Sequence, residues 1–137
     1  MPQDRIKGPG FHHVAIRAYD FDATLKFYQE GFGFPRAYGW GSGDGRAAML
    51  DLGDGNYLEV FAGRAAGVEI PEGGLLHFAL RVPDTDAAYA RAMAAGAISQ
   101  TEPKDVTIDG DRPVTVRLAF VRGMNGEVIE FFQNEEL

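Results

Sequence analysis

Two histidines and two glutamates recur at matched positions along the chain, and the chemistry they can do together is metal binding. His13 heads the run His13-Val14-Ala15-Ile16-Arg17, and His77 heads His77-Phe78-Ala79-Leu80-Arg81. A second matched pair follows: Asp54-Gly55-Asn56-Tyr57-Leu58-Glu59-Val60-Phe61 aligns without a gap on Asn125-Gly126-Glu127-Val128-Ile129-Glu130-Phe131-Phe132, placing Glu59 on Glu130. Two imidazoles and two carboxylates form an N2O2 set that suits one divalent metal per site, zinc, nickel, cobalt, manganese or iron(II), with positions left for water. A lone histidine in a strand is most often a packing or surface residue. The repetition in register weighs against that here. So does the placing of each Glu among apolar neighbours, where an unpaired carboxylate is costly.

Strand alternation tells which side chains could meet. His13, Ala15 and Arg17 share one face, opposite Val14 and Ile16; His77, Ala79 and Arg81 share one, opposite Phe78, Leu80 and Val82. Tyr57, Glu59 and Phe61 fall together, as do Val128, Glu130 and Phe132. The apolar faces belong under helices, so all four candidate ligands lie on the sheet face away from the helices. His12 faces away from His13 on the same alternation and reads as structural or exposed. Arg17 and Arg81 suit either an ion pair with the ligand carboxylates or an anionic substrate, with Arg81 leaning to structure. Trp40, Met49, Tyr57, Phe61 and Phe132 suit an apolar pocket lining, and core packing accounts for each equally well.

The elements that position these residues run in the same order twice. Phe11–Ala18 alternates as a strand. Asp20 caps a helix in which Phe21, Leu25, Tyr28 and Phe32 recur at helical spacing, ending at Gly31 or Gly33. Phe34–Trp40, Arg46–Leu52 and Tyr57–Ala62 read as strands, and the glycine-rich Gly39–Gly45 as a hairpin loop without phosphate-loop spacing. Residues 63–74, with four glycines and a proline, form the linker. Leu75–Val82 is then a strand, Asp84 caps a helix over Thr85–Ala95, Gly96 stops it, and Ala97–Glu102, a short piece near Val106–Ile108 with a turn at Asp109–Asp111, Val114–Arg122 and Glu127–Gln133 complete the second half. The modules span 11–62 and 75–133, together one domain over 11–133. Residues 1–10 read as a loose leader.

At 137 residues, with 45% hydrophobic content, the chain can bury a real core. A net charge of -7 argues against a nucleic-acid partner. No run is apolar enough to span a membrane and the start lacks a signal-peptide pattern, which points to a cytoplasmic location. With no cysteine there are no disulfides, thiolate metal sites or cysteine nucleophiles.

The segments Phe11-His12-His13-Val14-Ala15-Ile16, Phe27-Tyr28 before Gly31-Phe32-Gly33-Phe34, Tyr57-Leu58-Glu59-Val60-Phe61, His77-Phe78-Ala79-Leu80-Arg81-Val82 and Gly126–Phe132 resemble the vicinal oxygen chelate superfamily. The superfamily includes glyoxalase I, methylmalonyl-CoA epimerase, extradiol dioxygenases, and fosfomycin- and bleomycin-resistance proteins. The resemblance runs from Phe11 to Gln133. It implies an α+β fold of two tandem βαβββ modules forming a cupped eight-stranded mixed sheet around a metal.

Glu59 at the second ligand position is most similar to glyoxalase I; dioxygenases and fosfomycin-modifying members lack a ligand there, epimerases usually carry Gln, and bleomycin-binding members carry no metal. The resemblance therefore implies a lactoylglutathione lyase-type activity, isomerising a hemithioacetal or related vicinal-oxygen substrate, with His13, Glu59, His77 and Glu130 on the metal. Either glutamate could then move the proton; Glu130 is favoured as the base, with Glu59 as its partner. Arg17, Tyr57, Phe61 and Phe132 are the expected substrate contacts, Arg17 matching an arginine that meets the glutathione carboxylate. Two departures touch glutathione recognition: Gly63 stands where the family tends to have Asn, and Arg122–Gly126 replaces its Asp-Pro-Asp-Gly turn. The alternatives are an iron(II) dioxygenase or epimerase and a non-catalytic binding or resistance protein. The expected partners are a small molecule, such as a glutathione or other thiol adduct, and a second copy of the chain. Each site would be built within one chain or across the homodimer, an arrangement glyoxalase I-like chains commonly use.

Overall fold

The computed structural model describes residues 11–65 and 75–137. The expected leader and most of the expected linker lie outside the described residues. The first half runs β1 (His13–Arg17), α1 (Phe21–Phe32), β2 (Arg36–Trp40), β3 (Ala47–Gly53) and β4 (Asn56–Phe61). The second runs β5 (Phe78–Arg81), α2 (Thr85–Ala94), β6 (Ile98–Asp109), β7 (Pro113–Arg122) and β8 (Val128–Gln133). The eight strands divide four and four between two mixed sheets, in the orders β1-β4-β3-β2 and β5-β8-β7-β6. In each, the first strand pairs in parallel with the last and the remaining neighbours are antiparallel. The expected α+β architecture is the one observed.

Local chemistry sets the helix ends. The carboxylates of Asp20 and Asp84 each accept a hydrogen bond at 3.0 Å, from the backbone N–H of Ala23 and of Ala87, satisfying donors that a helix start leaves open. Gly33 closes α1 in the left-handed conformation at φ 71°.

The largest difference from the sequence expectation is β6. It runs unbroken through Pro103 to Asp109, where two pieces were expected. β6 is an edge strand, and its pairing with β7 shifts register on either side of Thr101. Proline lacks the N–H of an inner ladder but is tolerated at an edge beside a bulge.

The two halves pack through their helix-covered faces. Leu58 and Val60 of β4 and Ile129 and Phe131 of β8 enter one shared core with Phe21, Leu25, Phe27 and Tyr28 of α1. Phe32 stacks on Phe131 across the halves, centroids 5.7 Å apart. The helices approach so closely at Gly31 that an added Cβ would sit 2.6 Å from Cβ of Ala95.

A polar cluster reinforces the join. Tyr28, fully buried in α1, donates its hydroxyl to Glu127 at 2.7 Å. Glu127 also accepts from the Asn125 backbone N–H at 2.8 Å. The Asn125 side chain accepts from Tyr19 N–H and donates to Thr24 Oγ1. Burial first, and then the neighbouring Glu127 carboxylate, push the Tyr28 hydroxyl well above the ordinary tyrosine pKa.

Candidate metal centre

β4 and β8 are inner strands, so Glu59 and Glu130 are flanked on both sides. The register sets Ala15 and Met49 beside Glu59, and Ala79 and Phe120 beside Glu130. Each histidine lies two residues before the alanine on the neighbouring parallel strand. The alanine side chain is too short to fill the space between, so imidazole and carboxylate lean together over it. His13 Nε2 is 3.6 Å from Glu59 Oε1, and His77 Nε2 is 3.2 Å from Glu130 Oε1. Glu59 is 9% exposed and Glu130 8%; the imidazoles are far more open. Both pairs stand on the faces away from the helices, because Val14, Ile16, Phe78 and Leu80 point into the core from the other side.

Within one chain the structure brings the four expected ligands together two and two, not as a single set of four. Among the described residues no group of three or more His, Cys, Asp or Glu side chains could hold a metal ion. The halves are back to back, so each ligand pair looks outward from its own sheet. One cavity of about 750 Å³ is lined by Arg81, Arg117 and Glu136 among others. Another of about 310 Å³ is lined by Phe32, Phe34 and Phe131 among others. None of the four candidate ligands lines either one.

Arg17 donates to the Ala62 carbonyl at 2.9 Å and lies over the Phe61 ring, 5.5 Å from its centroid; among the described residues it forms no ion pair with Glu59 or Glu130. Phe61 also meets Trp40, which meets Tyr38, giving a ladder of rings at 6.2 and 5.7 Å. Phe132 pairs with Arg81 on β5 just as Phe61 pairs with Arg17 on β1. Tyr57 sits level with His13 and packs against His12, centroids 5.1 Å apart. Arg81 donates to the Leu137 carbonyl at 3.2 Å.

One expectation is overturned. His12 does not face away from His13: their Nδ1 atoms are 2.9 Å apart and the rings meet edge to face. His12 immediately precedes β1 but its carbonyl still accepts from Tyr57 N–H, and its ring, exposed as expected, turns back onto His13.

Phe120 is the neighbour that sequence reasoning missed. Its ring meets the His77 ring edge to face at 5.2 Å. Alternation along Val114–Arg122 groups Phe120 with Val114, Val116 and Leu118, an apolar set; burial changes parity along β7, and only the register sets Phe120 beside Glu130.

A family model described as the Glyoxalase/Bleomycin resistance protein/Dioxygenase superfamily matches residues 10–132. No curated protein sequence matches the chain. Among solved structures, a glyoxalase family protein from Enterococcus faecalis is 25% identical, with 93% of this chain and 99% of that one covered and a TM-score of 0.71. A glyoxalase I mutant (V278E) from Zea mays is 24% identical over 92% of this chain and 45% of its own, with a TM-score of 0.73. TnmS3, an antibiotic binding protein from Streptomyces sp. CB03234, is 22% identical over 96% and 100% of the two chains, with a TM-score of 0.72. The last two likenesses, below 25% identity, concern the fold.

Proposed function

The chain belongs to the glyoxalase/bleomycin resistance protein/dioxygenase superfamily, and we propose that it is a metal-dependent isomerase or lyase of the glyoxalase I type acting on a small molecule with adjacent oxygens. The observation that carries this reading is the duplicated His/Glu pair. In both sheets an imidazole Nε2 faces a carboxylate oxygen diagonally across two parallel strands, at 3.6 and 3.2 Å. A mostly buried carboxylate with so little pairing is costly unless a cation meets it. The donor types suit a borderline or hard divalent metal.

Two pairs from two chains would complete the set. His13 and Glu59 of one copy would meet His77 and Glu130 of the other, giving a homodimer with two sites. The outward-looking pairs support this arrangement over one closed within a chain, as do the edge strands β1 and β5 beside them. A bound divalent metal would polarise the substrate oxygens and stabilise negative charge as a proton leaves carbon. Glu130 takes that proton on a carboxylate oxygen and returns it to the adjacent carbon, so the substrate is isomerised with no net change in atoms. Glu59 is its partner on the other side. Phe61, Phe132 and Tyr57 exclude water and hold the apolar part of the substrate, and Arg17 receives an anionic end.

Metal content and activity toward methylglyoxal plus glutathione test this reading together. Equal metal content in wild type, His13→Ala and His77→Ala would remove it. Co-refolding the two variants tests the cross-chain arrangement: a mixed dimer with one intact site recovers activity, whereas sites closed within one chain leave the mixture inactive. A second reading, a binding protein without turnover, is favoured by the Tyr38–Trp40–Phe61 ladder, whose first two rings are exposed. Metal-loaded protein that binds aromatic ligands but turns over no thiol adduct would favour it.

A further inference from the structure

We propose that His12 is a positioning residue for His13, holding its imidazole through a hydrogen bond whose direction reverses when His13 takes a metal. The inference rests on the reading of His13 as a ligand. Two imidazole nitrogens 2.9 Å apart can be bonded only if one carries a hydrogen and the other a lone pair. His12 is itself anchored: its carbonyl accepts from Tyr57 N–H at 2.7 Å and its ring lies against the Tyr57 ring.

His13 Nε2 faces Glu59 at 3.6 Å, too far for a hydrogen bond. With its hydrogen on Nε2, His13 accepts at Nδ1 and His12 Nδ1–H donates. With metal, Nε2 must offer its lone pair, so the hydrogen sits on His13 Nδ1 and is donated to His12 Nδ1, while His12 carries its own hydrogen on Nε2. With one hydrogen on each ring, the exchange is a change of tautomer and needs no proton gained or lost. A carboxylate or carbonyl in the place of His12 could only accept, and would serve the loaded state alone. Ring nitrogens that ligate metals are oriented by the partner of the other nitrogen, and such partners affect affinity. The second half-site has another device: His77 is steadied by the edge of Phe120, an apolar contact.

The test uses the full-length protein, free of metal and loaded with zinc, with histidine ring nitrogens observed by ¹⁵N NMR and zinc affinity measured by competition with a chelator. His12 is exposed and precedes the strand, so its variants should fold, which circular dichroism checks. His12→Ala and His12→Phe are expected to lose about 10- to 100-fold in zinc affinity. His12→Asn, whose amide can both donate and accept, should recover most of it. In the wild type, His13 should move from the Nε2–H to the Nδ1–H form on loading while His12 moves the opposite way. Unchanged zinc affinity in His12→Ala, with His13→Ala losing zinc, overturns this inference and leaves the ligand assignment standing. Undiminished zinc binding in His13→Ala overturns both.

Discussion

In the first sheet, the cross-strand row through Glu59 reads Tyr38, Met49, Glu59, Ala15, and the next reads Trp40, Ala47, Phe61, Arg17. In the second sheet the equivalent rows read Thr101, Phe120, Glu130, Ala79 and Lys104, Leu118, Phe132, Arg81. The positions on β4 and β1 repeat on β8 and β5: glutamate beside alanine, phenylalanine beside arginine, and a histidine two residues earlier. The positions on the other two strands diverge, Met49 and Ala47 against Phe120 and Leu118, and aromatic on β2 against polar or cationic on β6. A metal constrains donor type and spacing closely, whereas a substrate wall constrains only shape and polarity. The difference between the halves therefore separates what would hold a metal from what would distinguish one substrate from another. It also extends to how each histidine is held, by a polar neighbour in one half and an aromatic edge in the other.

The sharpest way to break the comparison is to alter the two carboxylates in turn. With Glu130 as base, Glu130→Gln in the metal-loaded enzyme should lower kcat at least about 100-fold. Glu59→Gln should keep part of both metal affinity and turnover. The reverse order in a steady-state assay would exchange the roles of the halves.

The join between the halves comes next. Gly31→Val should cost about 1–3 kcal/mol in urea unfolding, because the added carbons collide with Ala95 across the helix contact. If the midpoint does not move, the helices are not in the close contact described.

Tyr28→Phe leaves Glu127 without one donor at that join, and should cost about 1–3 kcal/mol at neutral pH. The pH dependence sharpens this. The Tyr28 pKa is raised on folding, so its contribution is present below the ordinary tyrosine pKa of about 10 and is lost as pH rises above it. Wild-type stability should therefore fall more steeply than that of Tyr28→Phe above that pH.

The smallest effect concerns a device each half has in its own form. Asp22 of α1 meets Arg46 at 3.3 Å, while Asp86 of α2 meets Arg117 through two hydrogen bonds, at 2.6 and 2.9 Å. The Arg117 hydrogen bond holds the Asp86 carboxyl below its ordinary pKa. Its contribution is thus present above the ordinary carboxylate pKa and lost as pH falls through the lowered value. Both pairs are exposed and screened. Asp86→Asn should lower the thermal midpoint slightly more than Asp22→Asn at neutral pH, and the difference should vanish in strong acid.

Local pattern was enough to assign helix caps, strand faces and the side of each sheet on which His13, Glu59, His77 and Glu130 stand. These depend on a period of two and on the chemistry of Asp and Gly at helix ends, which neighbouring residues carry among themselves. His12 shows the limit: alternation gives the face from which a side chain leaves, whereas the ring orientation that brings its Nδ1 to that of His13 is set by contacts with His13 and Tyr57 that the pattern does not state. Pro103 shows another, since whether a proline ends a strand depends on whether that strand lies at an edge. Phe120 joined His77 through a strand register that no local pattern states.

The arrangement of the halves was beyond local pattern altogether. Gly31 against Ala95, Phe32 on Phe131 and Tyr28 on Glu127 join residues far apart in sequence, and nothing near any of them names its partner. Those contacts turn the faces carrying the two His/Glu pairs outward, away from each other. The four candidate residues could be named from the chain, but their division into two separate pairs is a property of packing, because packing alone sets the relative direction of two sheets whose strands are not hydrogen-bonded to each other.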